Sequence, residues 1–110
     1  GGRPDHFLGN LQAAAFAAEK GVKTTIFSDS ATFYVFTNGS VELVRRSGKF
    51  FSVIALSDRC DGVCIDGAKY PLDNAVITND FPLGISNEWV QNTVKISVKS
   101  GVAVVVCAEE

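Results

Sequence analysis

The sequence contains no methionine, and proline, tryptophan and histidine are scarce. Its 110 residues include three prolines, one tryptophan and one histidine. Because a complete translation product starts with methionine, we expect the chain to be a fragment, a processed product or a domain taken from a longer protein. The length suits a single domain, and a chain of this length can form a core without cross-links.

No strong excess of one charge is present. Ten Lys and Arg stand against twelve Asp and Glu, for a formal net charge of −2. This balance excludes a nucleic-acid-binding protein that relies on bulk positive charge. The only basic cluster, Arg45, Arg46 and Lys49, is typical of a solvated turn. No apolar run approaches the roughly 20 residues of a membrane-spanning helix, and the chain opens without the apolar stretch of a signal peptide. We therefore expect neither a nucleic acid nor a membrane as a partner.

The three cysteines are an odd number, so they cannot all pair within the chain. Cys60 and Cys64 are close in sequence, whereas Cys107 is distant. A zinc site would need a fourth ligand and tighter pairs, and the single histidine, His6, is remote. We therefore predict free thiols in a reducing compartment, which favours the cytoplasm.

The segment from Pro4 to about residue 20 is predicted to be a helix. Pro4 suits the first helical position, where its missing N–H is not needed, and Gly21 is a natural C-terminal stop. Apolar side chains recur at steps of three and four residues and form one stripe. Its members are Phe7, Leu8, Leu11, Ala14, Ala15 and Ala18. Since a β-sandwich does not include such a helix, we expect the stripe to pack on a part of the protein that precedes this chain.

After Gly21 the sequence alternates short strand-like runs with turn residues. Asn38-Gly39, between two runs rich in β-branched and aromatic residues, predicts a two-residue hairpin. Ser100-Gly101 predicts a second turn. The predicted strands are residues 22–27, 32–37, 40–44, 50–56, 63–66, 75–78, 93–99 and 102–107. Many short strands at regular spacing indicate an antiparallel β-sandwich, jelly-roll-like, or a barrel.

Two of these runs also predict which residues are buried. Val94, Ile96 and Val98 alternate with polar residues and should face a core, whereas residues 102–107 are continuously apolar, as in a strand that is covered on both faces. The polar residues between about 28 and 31 are the one candidate boundary. They separate a helix–strand unit from the remaining strands.

Candidate functional residues cluster at the start of the helix. Flexible Gly1-Gly2, the Arg3 guanidinium and free N–H groups can hold an anion, although a plain loop is the more frequent explanation of such residues. Asp5 can bind Mg²⁺ or accept a proton, but it also simply complements the positive end of the helix dipole. His6 alone is typical of a polar surface residue.

A second candidate group lies in the β region. Ser86 and Asn87, followed by Trp89, can bind a polar heterocycle through hydroxyl, amide and ring contacts. A loop that the tryptophan anchors to the sandwich is the alternative. Tyr70, before Pro71, either lines a pocket or belongs to the core. No Ser/His/Asp order, phosphate-binding Walker loop or paired-carboxylate motif is present.

Three stretches in order resemble the thiamine pyrophosphokinase family, bacterial type. The first resembles its Gly-Gly-Arg-x-Asp-His-x-Leu-x-Asn motif at residues 1–10, the second its Leu/Lys-Tyr-Pro-Leu-x-Asn stretch at 69–74, and the third its Gly-Ile-Ser-Asn-Glu segment at 84–88. A strand, a Ser-Gly turn and a strand follow at 96–106. The resemblance covers nearly the whole chain.

The resemblance implies a mainly β chain with two parts. Residues 1–29 would be the tail of an α/β catalytic domain that binds ATP, and residues 30–110 a β-sandwich that binds thiamine. Family members transfer pyrophosphate from ATP to the thiamine hydroxyl with Mg²⁺, giving thiamine diphosphate and AMP. They are homodimers whose site lies at the subunit interface.

The same resemblance assigns roles to residues. Asp5 would bind Mg²⁺ or the attacking hydroxyl, Arg3 would face phosphate oxygens, and His6 and Asn10 would support that corner. The remaining matches, Ser86, Asn87 and Tyr70, would contact thiamine. A supporting role for Trp89 is our inference, because it lies outside the matched residues.

The family's other acidic motifs lie upstream of the residues matched here. We therefore expect the chain alone to be inactive, although it can still bind thiamine weakly or dimerise. Two other interpretations stay open: a non-catalytic β-sandwich that binds a ligand or partner, and a purely structural oligomerisation domain.

Overall fold

A computed structural model describes residues 3–45, 48 and 50–109. The elements are α1 (Pro4–Glu19), β1 (Thr24–Phe27), β2 (Ala31–Val44), β3 (Phe50–Ala55), β4 (Arg59–Asp66), β5 (Leu72–Thr78), β6 (Asn87–Glu88) and β7 (Thr93–Ala108). All of the strand pairings are antiparallel. The fold class predicted from the sequence, a mainly antiparallel β-sandwich with one helix in front, is confirmed. Of the predicted turn at 45–49, residues 46, 47 and 49 lie outside the described residues.

The two longest strands, β2 and β7, pair along almost their whole length and belong to both layers of the sandwich. Beside the second half of β7 lies β3, whereas β4 pairs with its first half. The outer strands complete the layers, since β1 pairs with β2, β6 with β3, and β5 with β4. One pair of long strands therefore connects the two layers.

The hairpin predicted at Asn38-Gly39 is wrong. Strand β2 continues through both residues, and the register with β7 shifts there, from Thr37 opposite Val102 to Gly39 opposite Val98. Asn38 has the left-handed φ of 45° that the hairpin would have used, but it forms a bulge instead. The turn predicted at Ser100-Gly101 is the opposite side of the same irregularity. The two turn signals thus make one bend in a strand pair.

The main core lies between the layers and contains the largest fully buried side chains, which include Phe36, Phe51, Ile65 and Ile96. The predicted alternation of Val94, Ile96 and Val98 is confirmed, since all three are at most 2% exposed. Residues 102–107 are covered on both faces along most of their length, as predicted. Odd-numbered members face the main core and even-numbered members face the helix.

The helix begins at Pro4, as predicted, and ends at Glu19, one residue before the predicted position. Gly21, with a φ of 87°, closes it: Gly21 N–H donates to Ala18 O at 2.9 Å and Val22 N–H donates to Ala17 O at 3.0 Å. Three sequence signals therefore place this element correctly: the proline, the apolar period and the glycine.

The partner expected for the helix is partly wrong. Ala14 and Ala18 are buried against Val35, Val102 and Val104, on the outer face of the β2–β7 layer. Small alanine side chains let the helix lie close to the sheet. Leu8 and Phe16, by contrast, are more than 60% exposed. The sandwich therefore covers the alanine part of the stripe.

Strand β1 pairs with β2 at four positions, so the helix–strand unit and the sandwich are hydrogen-bonded across the expected boundary near residue 29. The division into two domains stays a prediction. Within the described residues, no helix is both long and apolar enough to cross a membrane. None of the three cysteines forms a disulfide with another cysteine in this structure.

Candidate functional site

Arg3 and Asp5 form an exposed ion pair at the start of α1. Arg3 Nη2 lies 2.7 Å from Asp5 Oδ2, and Arg3 Nε donates to Asp5 Oδ1 at 3.2 Å. Asp5 also lies in the first helical turn, where the helix dipole stabilises a negative charge. The candidate acid or base and the candidate phosphate ligand are therefore in direct contact.

An open groove of about 470 Å³ adjoins this pair. Arg3, His6 and Asn10 line one side of it, and residues 26–29, at the end of β1 and just beyond, line the other. The structure thus brings together the residues that the sequence places in this corner, apart from Gly1 and Gly2, which lie outside the described residues. We call the group of Arg3, Asp5, His6 and Asn10 the helix corner.

The helix corner does not form a metal site from the residues that the structure describes. In that part of the chain, no three or more His, Cys, Asp or Glu side chains gather closely enough to hold an ion. Both carboxylate oxygens of Asp5 face Arg3. Asp5 is the one carboxylate of the helix corner, and Asp29 lines the opposite wall of the groove. Two carboxylates do not by themselves make up a Mg²⁺ site, and the assignment of Asp5 as its ligand stays a prediction.

A second cavity, of about 200 Å³, is lined by Tyr70 and Asn87 of the candidate group in the β region. Its lining is mostly apolar and combines the ends of three segments of the chain. The lining residues are Ile65, Tyr70, Leu72, Leu83, Gly84, Ile85 and Asn87. Tyr70 is 57% exposed and stands at its rim. We call this space the Tyr70 hollow.

Backbone contacts with β3 hold the loop that forms one wall of the hollow. Val53 N–H donates to Gly84 O at 2.9 Å, and a Cβ at Gly84 would lie 3.2 Å from the Val53 carbonyl carbon. Only glycine allows this close approach without a shift of the backbone. The glycine of the Gly-Ile-Ser-Asn-Glu stretch therefore has a packing role.

Ser86 lies between two lining residues and is exposed. Its φ of 59° is in the left-handed region, which a serine adopts at a cost. Its N–H donates to Ser52 Oγ at 2.9 Å, which ties the turn to β3. Strained backbone of this kind is frequent at functional sites.

Asn87 is 4% exposed, and its amide group is bonded to backbone on both sides. Asn87 Oδ1 accepts from Tyr70 N–H at 3.0 Å and from Glu88 N–H at 2.9 Å, and Asn87 Nδ2 donates to Tyr70 O at 2.8 Å. Two of the three residues that the resemblance assigns to thiamine, Tyr70 and Asn87, are therefore in direct contact.

Lys69 and Glu88 fasten the same rim and were missed by the sequence reasoning. Lys69 Nζ lies 3.2 Å from Glu88 Oε2, and Lys69 N–H donates to Glu88 O at 2.9 Å. The hydrogen bond that Lys69 donates to the Glu88 carboxylate raises the pKa of Lys69, whose ammonium lies 5.5 Å from the centroid of the Tyr70 ring. Both residues lie within the stretches that carry the family resemblance, and that position was the sequence signal that could have identified them.

Trp89 does not line the Tyr70 hollow. Its ring packs against Phe51 in the main core, with the centroids 5.3 Å apart, and its backbone forms an isolated bridge with Ala68. A small cavity of about 30 Å³ borders its other side. This geometry favours the anchoring interpretation of Trp89.

The helix corner and the Tyr70 hollow share no lining residue. They are therefore two separate cavities of the chain.

Comparison with known proteins identifies the family. The model of the family "Thiamin pyrophosphokinase, vitamin B1 binding domain" matches residues 40–103, which is more than half of the chain. The chain belongs to the bacterial thiamine pyrophosphokinase family. The match includes Tyr70, Ser86 and Asn87, whereas the helix corner lies outside it. The resemblance drawn from the sequence motifs is thus confirmed.

Individual proteins similar to this chain support the same family assignment. The thiamine pyrophosphokinase of Bacillus subtilis (strain 168) is 30% identical over 107 residues, which are 96% of this chain and 50% of that protein. A crystal structure of the Bacillus subtilis enzyme has a TM-score of 0.90 and 28% identity, covering 100% of this chain and 52% of that one. The enzyme from Geobacillus thermodenitrificans has a TM-score of 0.86 and 26% identity, with 100% and 51% covered. The chain thus spans about half the length of these relatives.

Proposed function

We propose that this chain is the thiamine-binding half of an enzyme that transfers pyrophosphate from ATP to the hydroxyl of thiamine, with thiamine diphosphate and AMP as products. The observation that carries the proposal is the Tyr70 hollow. It lies within the region matched by the vitamin B1 binding family, and residues assigned to thiamine from the sequence line it.

The size and lining of the hollow suit one ring of the vitamin. Pockets for drug-sized ligands hold about 300–1,000 Å³, so a hollow of about 200 Å³ accommodates a single heterocycle. Leu72, Leu83 and Ile85 supply apolar contacts for its faces, and the exposed Ser86 hydroxyl can bond to a polar edge. We assign the aminopyrimidine ring of thiamine to this hollow.

The helix corner suits the phosphate groups. An arginine side chain binds phosphate through parallel N–H bonds, and Arg3 now makes such bonds to Asp5. A phosphate that binds Arg3 would compete with Asp5 and leave its carboxylate free to accept a proton. His6 and Asn10 would support the phosphates from the same wall of the groove.

The transfer itself is a displacement at the β-phosphorus. The hydroxyl oxygen of thiamine bonds to that phosphorus, the bond from the phosphorus to the oxygen shared with the α-phosphate breaks, and AMP leaves with the electron pair. The hydroxyl proton passes to a base, for which Asp5 is the candidate. Such transfers depend mainly on positioning and charge neutralisation. The proposed transfer also depends on Mg²⁺, which would supply part of that charge neutralisation.

We also propose that the active protein is a homodimer, because the two candidate groups line separate cavities and the rim of one of them is apolar and exposed. The rim of the Tyr70 hollow exposes Leu83 and Ile85, which are 49% and 46% exposed. A second subunit would cover them and would bring its own helix corner toward the hollow. A cytoplasmic location stays a prediction that rests on the free thiols.

Activity assays of the intact protein test this proposal. With ATP, Mg²⁺ and thiamine, we expect AMP and thiamine diphosphate in equal amounts. Asp5→Asn should lower kcat by about 100-fold or more, as expected for a lost base. Asp58→Asn, which changes an exposed aspartate away from both candidate groups, should leave kcat unchanged. Full turnover by Asp5→Asn would remove Asp5 from the mechanism.

Calorimetric titration of the chain alone separates the enzyme from the other interpretations. A thiamine-binding half should show affinity for thiamine and less for ATP. A binding module for another partner, or a purely structural domain, should bind neither. If the intact protein also forms no product, the proposed function is wrong.

A further inference from the structure

The amide side chain of Asn87 has little capacity left for a ligand. A side-chain amide oxygen accepts two hydrogen bonds, and Asn87 Oδ1 already accepts from the N–H groups of Tyr70 and Glu88. One N–H of Nδ2 donates to Tyr70 O. The oxygen therefore cannot accept a bond from an amino group of thiamine without losing a contact to the backbone.

The bonds to Tyr70 replace a missing stretch of β-ladder. Tyr70 lies outside the strands, between the bridge at Ala68 and the start of β5, and Pro71 contributes no N–H. The Asn87 amide meets both the N–H and the carbonyl of Tyr70, as a neighbouring strand would. We call these two hydrogen bonds between the Asn87 amide and the Tyr70 backbone the bracket. Since Asn87 is itself paired with Phe51 through β6, the bracket connects Tyr70 to the core layer.

From this geometry, and resting on the proposed function, we infer that Asn87 is a positioning residue that acts on thiamine through Tyr70. It holds the exposed Tyr70 ring at the rim of the hollow, ready to stack on the heterocycle. A ring held in place before binding loses less conformational entropy when the ligand arrives. The contact surface is then the tyrosine ring, and the asparagine determines where that ring stands.

A double-mutant cycle on the intact protein tests this inference, with thiamine affinity measured by calorimetry. We expect Asn87→Ala to raise the Kd by about tenfold when Tyr70 is present, the equivalent of one lost hydrogen-bond bracket. In the Tyr70→Ala background the same change should alter the Kd by less than about twofold, because coupled residues are not additive. Asn92→Ala, at an exposed asparagine of the following turn, is the matched control and should leave the Kd unchanged.

Equal factors in both backgrounds would overturn the inference and make Asn87 a direct thiamine ligand. A second measurement needs neither a variant nor a ligand. The Tyr70 amide should exchange with deuterium slowly in the unmodified protein, although it lies outside the strands, and exchange at an open-loop rate would disprove the bracket. If the protein binds no thiamine, the proposed function fails, and the exchange rate still decides whether Asn87 holds Tyr70.

Discussion

The rings of Phe51 and Trp89 pack against each other with their centroids 5.3 Å apart and their planes tilted by 60°. Phe51 is 1% exposed and belongs to the main core, and in β3 it pairs with Asn87 of β6 while Phe50 pairs with Glu88. The segment that carries Ser86 and Asn87 is therefore fastened to the core at the residues that follow it. This attachment holds Ser86 and Asn87 in place, although their sequence is typical of a loop.

We predict that Trp89→Ala lowers the free energy of unfolding by about 2 kcal/mol, because it removes the ring from a half-buried position against Phe51. Trp89→Phe should cost less, since a ring remains. Trp89 is the only tryptophan, so denaturant unfolding should be followed by circular dichroism. Equal stability of the alanine variant and the parent would show that the ring pair does not anchor the loop.

Ser86 combines a strained backbone with an exposed hydroxyl, and two substitutions separate these properties. Ser86→Gly relieves the left-handed strain but adds flexibility to the unfolded chain, so we predict stability equal to the parent or higher by about 0.5 kcal/mol. Ser86→Ala keeps the strain. Both remove the hydroxyl and should raise the thiamine KM by about tenfold. An unchanged KM in both variants would show that the hydroxyl does not contact thiamine.

Two glycines should respond to alanine in opposite directions. Gly101 has a φ of 92°, and a Cβ there would lie 2.8 Å from Cys60 Cα, so Gly101→Ala should cost about 2 kcal/mol or more. Gly9 lies inside the helix with nothing within 4 Å of a Cβ, and Gly9→Ala should stabilise by about 1 kcal/mol. Thermal unfolding of both variants checks the pair. Unchanged or higher stability of Gly101→Ala would contradict the close approach at Gly101, and lower stability of Gly9→Ala would contradict the open space at Gly9.

Burial raises the pKa of the Cys60 thiol above its ordinary value of 9.0. Its Sγ donates to Val102 O at 3.3 Å. Above pH 9 the unfolded thiol loses its proton while the folded one keeps it, so stability falls as the pH rises. The loss is at most about 1.4 kcal/mol per pH unit, until the folded pKa is reached.

The stability difference between the parent and Cys60→Ala isolates this effect. This difference should be constant below pH 8 and shrink between pH 9 and 11, because only the parent has a thiol whose ionisation in the unfolded state lowers the free energy of unfolding. The measurement is urea unfolding across that pH range in the presence of reductant. A constant difference throughout would contradict the raised pKa.

Local signals predicted the parts of the fold that depend on neighbours in sequence. The helix bounds follow from Pro4, the apolar period and Gly21, and the burial of Val94, Ile96 and Val98 follows from alternation. The errors at Asn38 and Gly101 have one cause. Each residue carries a turn signal, but register places them opposite each other in a long strand pair. Register is a property of two distant segments, so neither signal alone distinguishes a bend from a reversal.

The contacts of the candidate site also depend on segments that are distant in sequence, so the sequence alone could not predict them. Motif resemblance named Tyr70 and Asn87 as residues that face thiamine, and the structure places both at one hollow. Their bracket joins positions 17 residues apart in the chain. It depends on the short strand β6, whose two residues carry no strand pattern of their own. The supporting ion pair of Lys69 and Glu88 depends on the same register.

The most direct test of the account is a thiamine titration of the labelled protein followed by amide chemical shifts. Thiamine binding in the Tyr70 hollow predicts a saturable shift of the amides at Tyr70 and at residues 83–88, with the residues of α1 unaffected until ATP is added. Shifts confined to the helix corner, or none in the Tyr70 hollow at saturating thiamine, would contradict it.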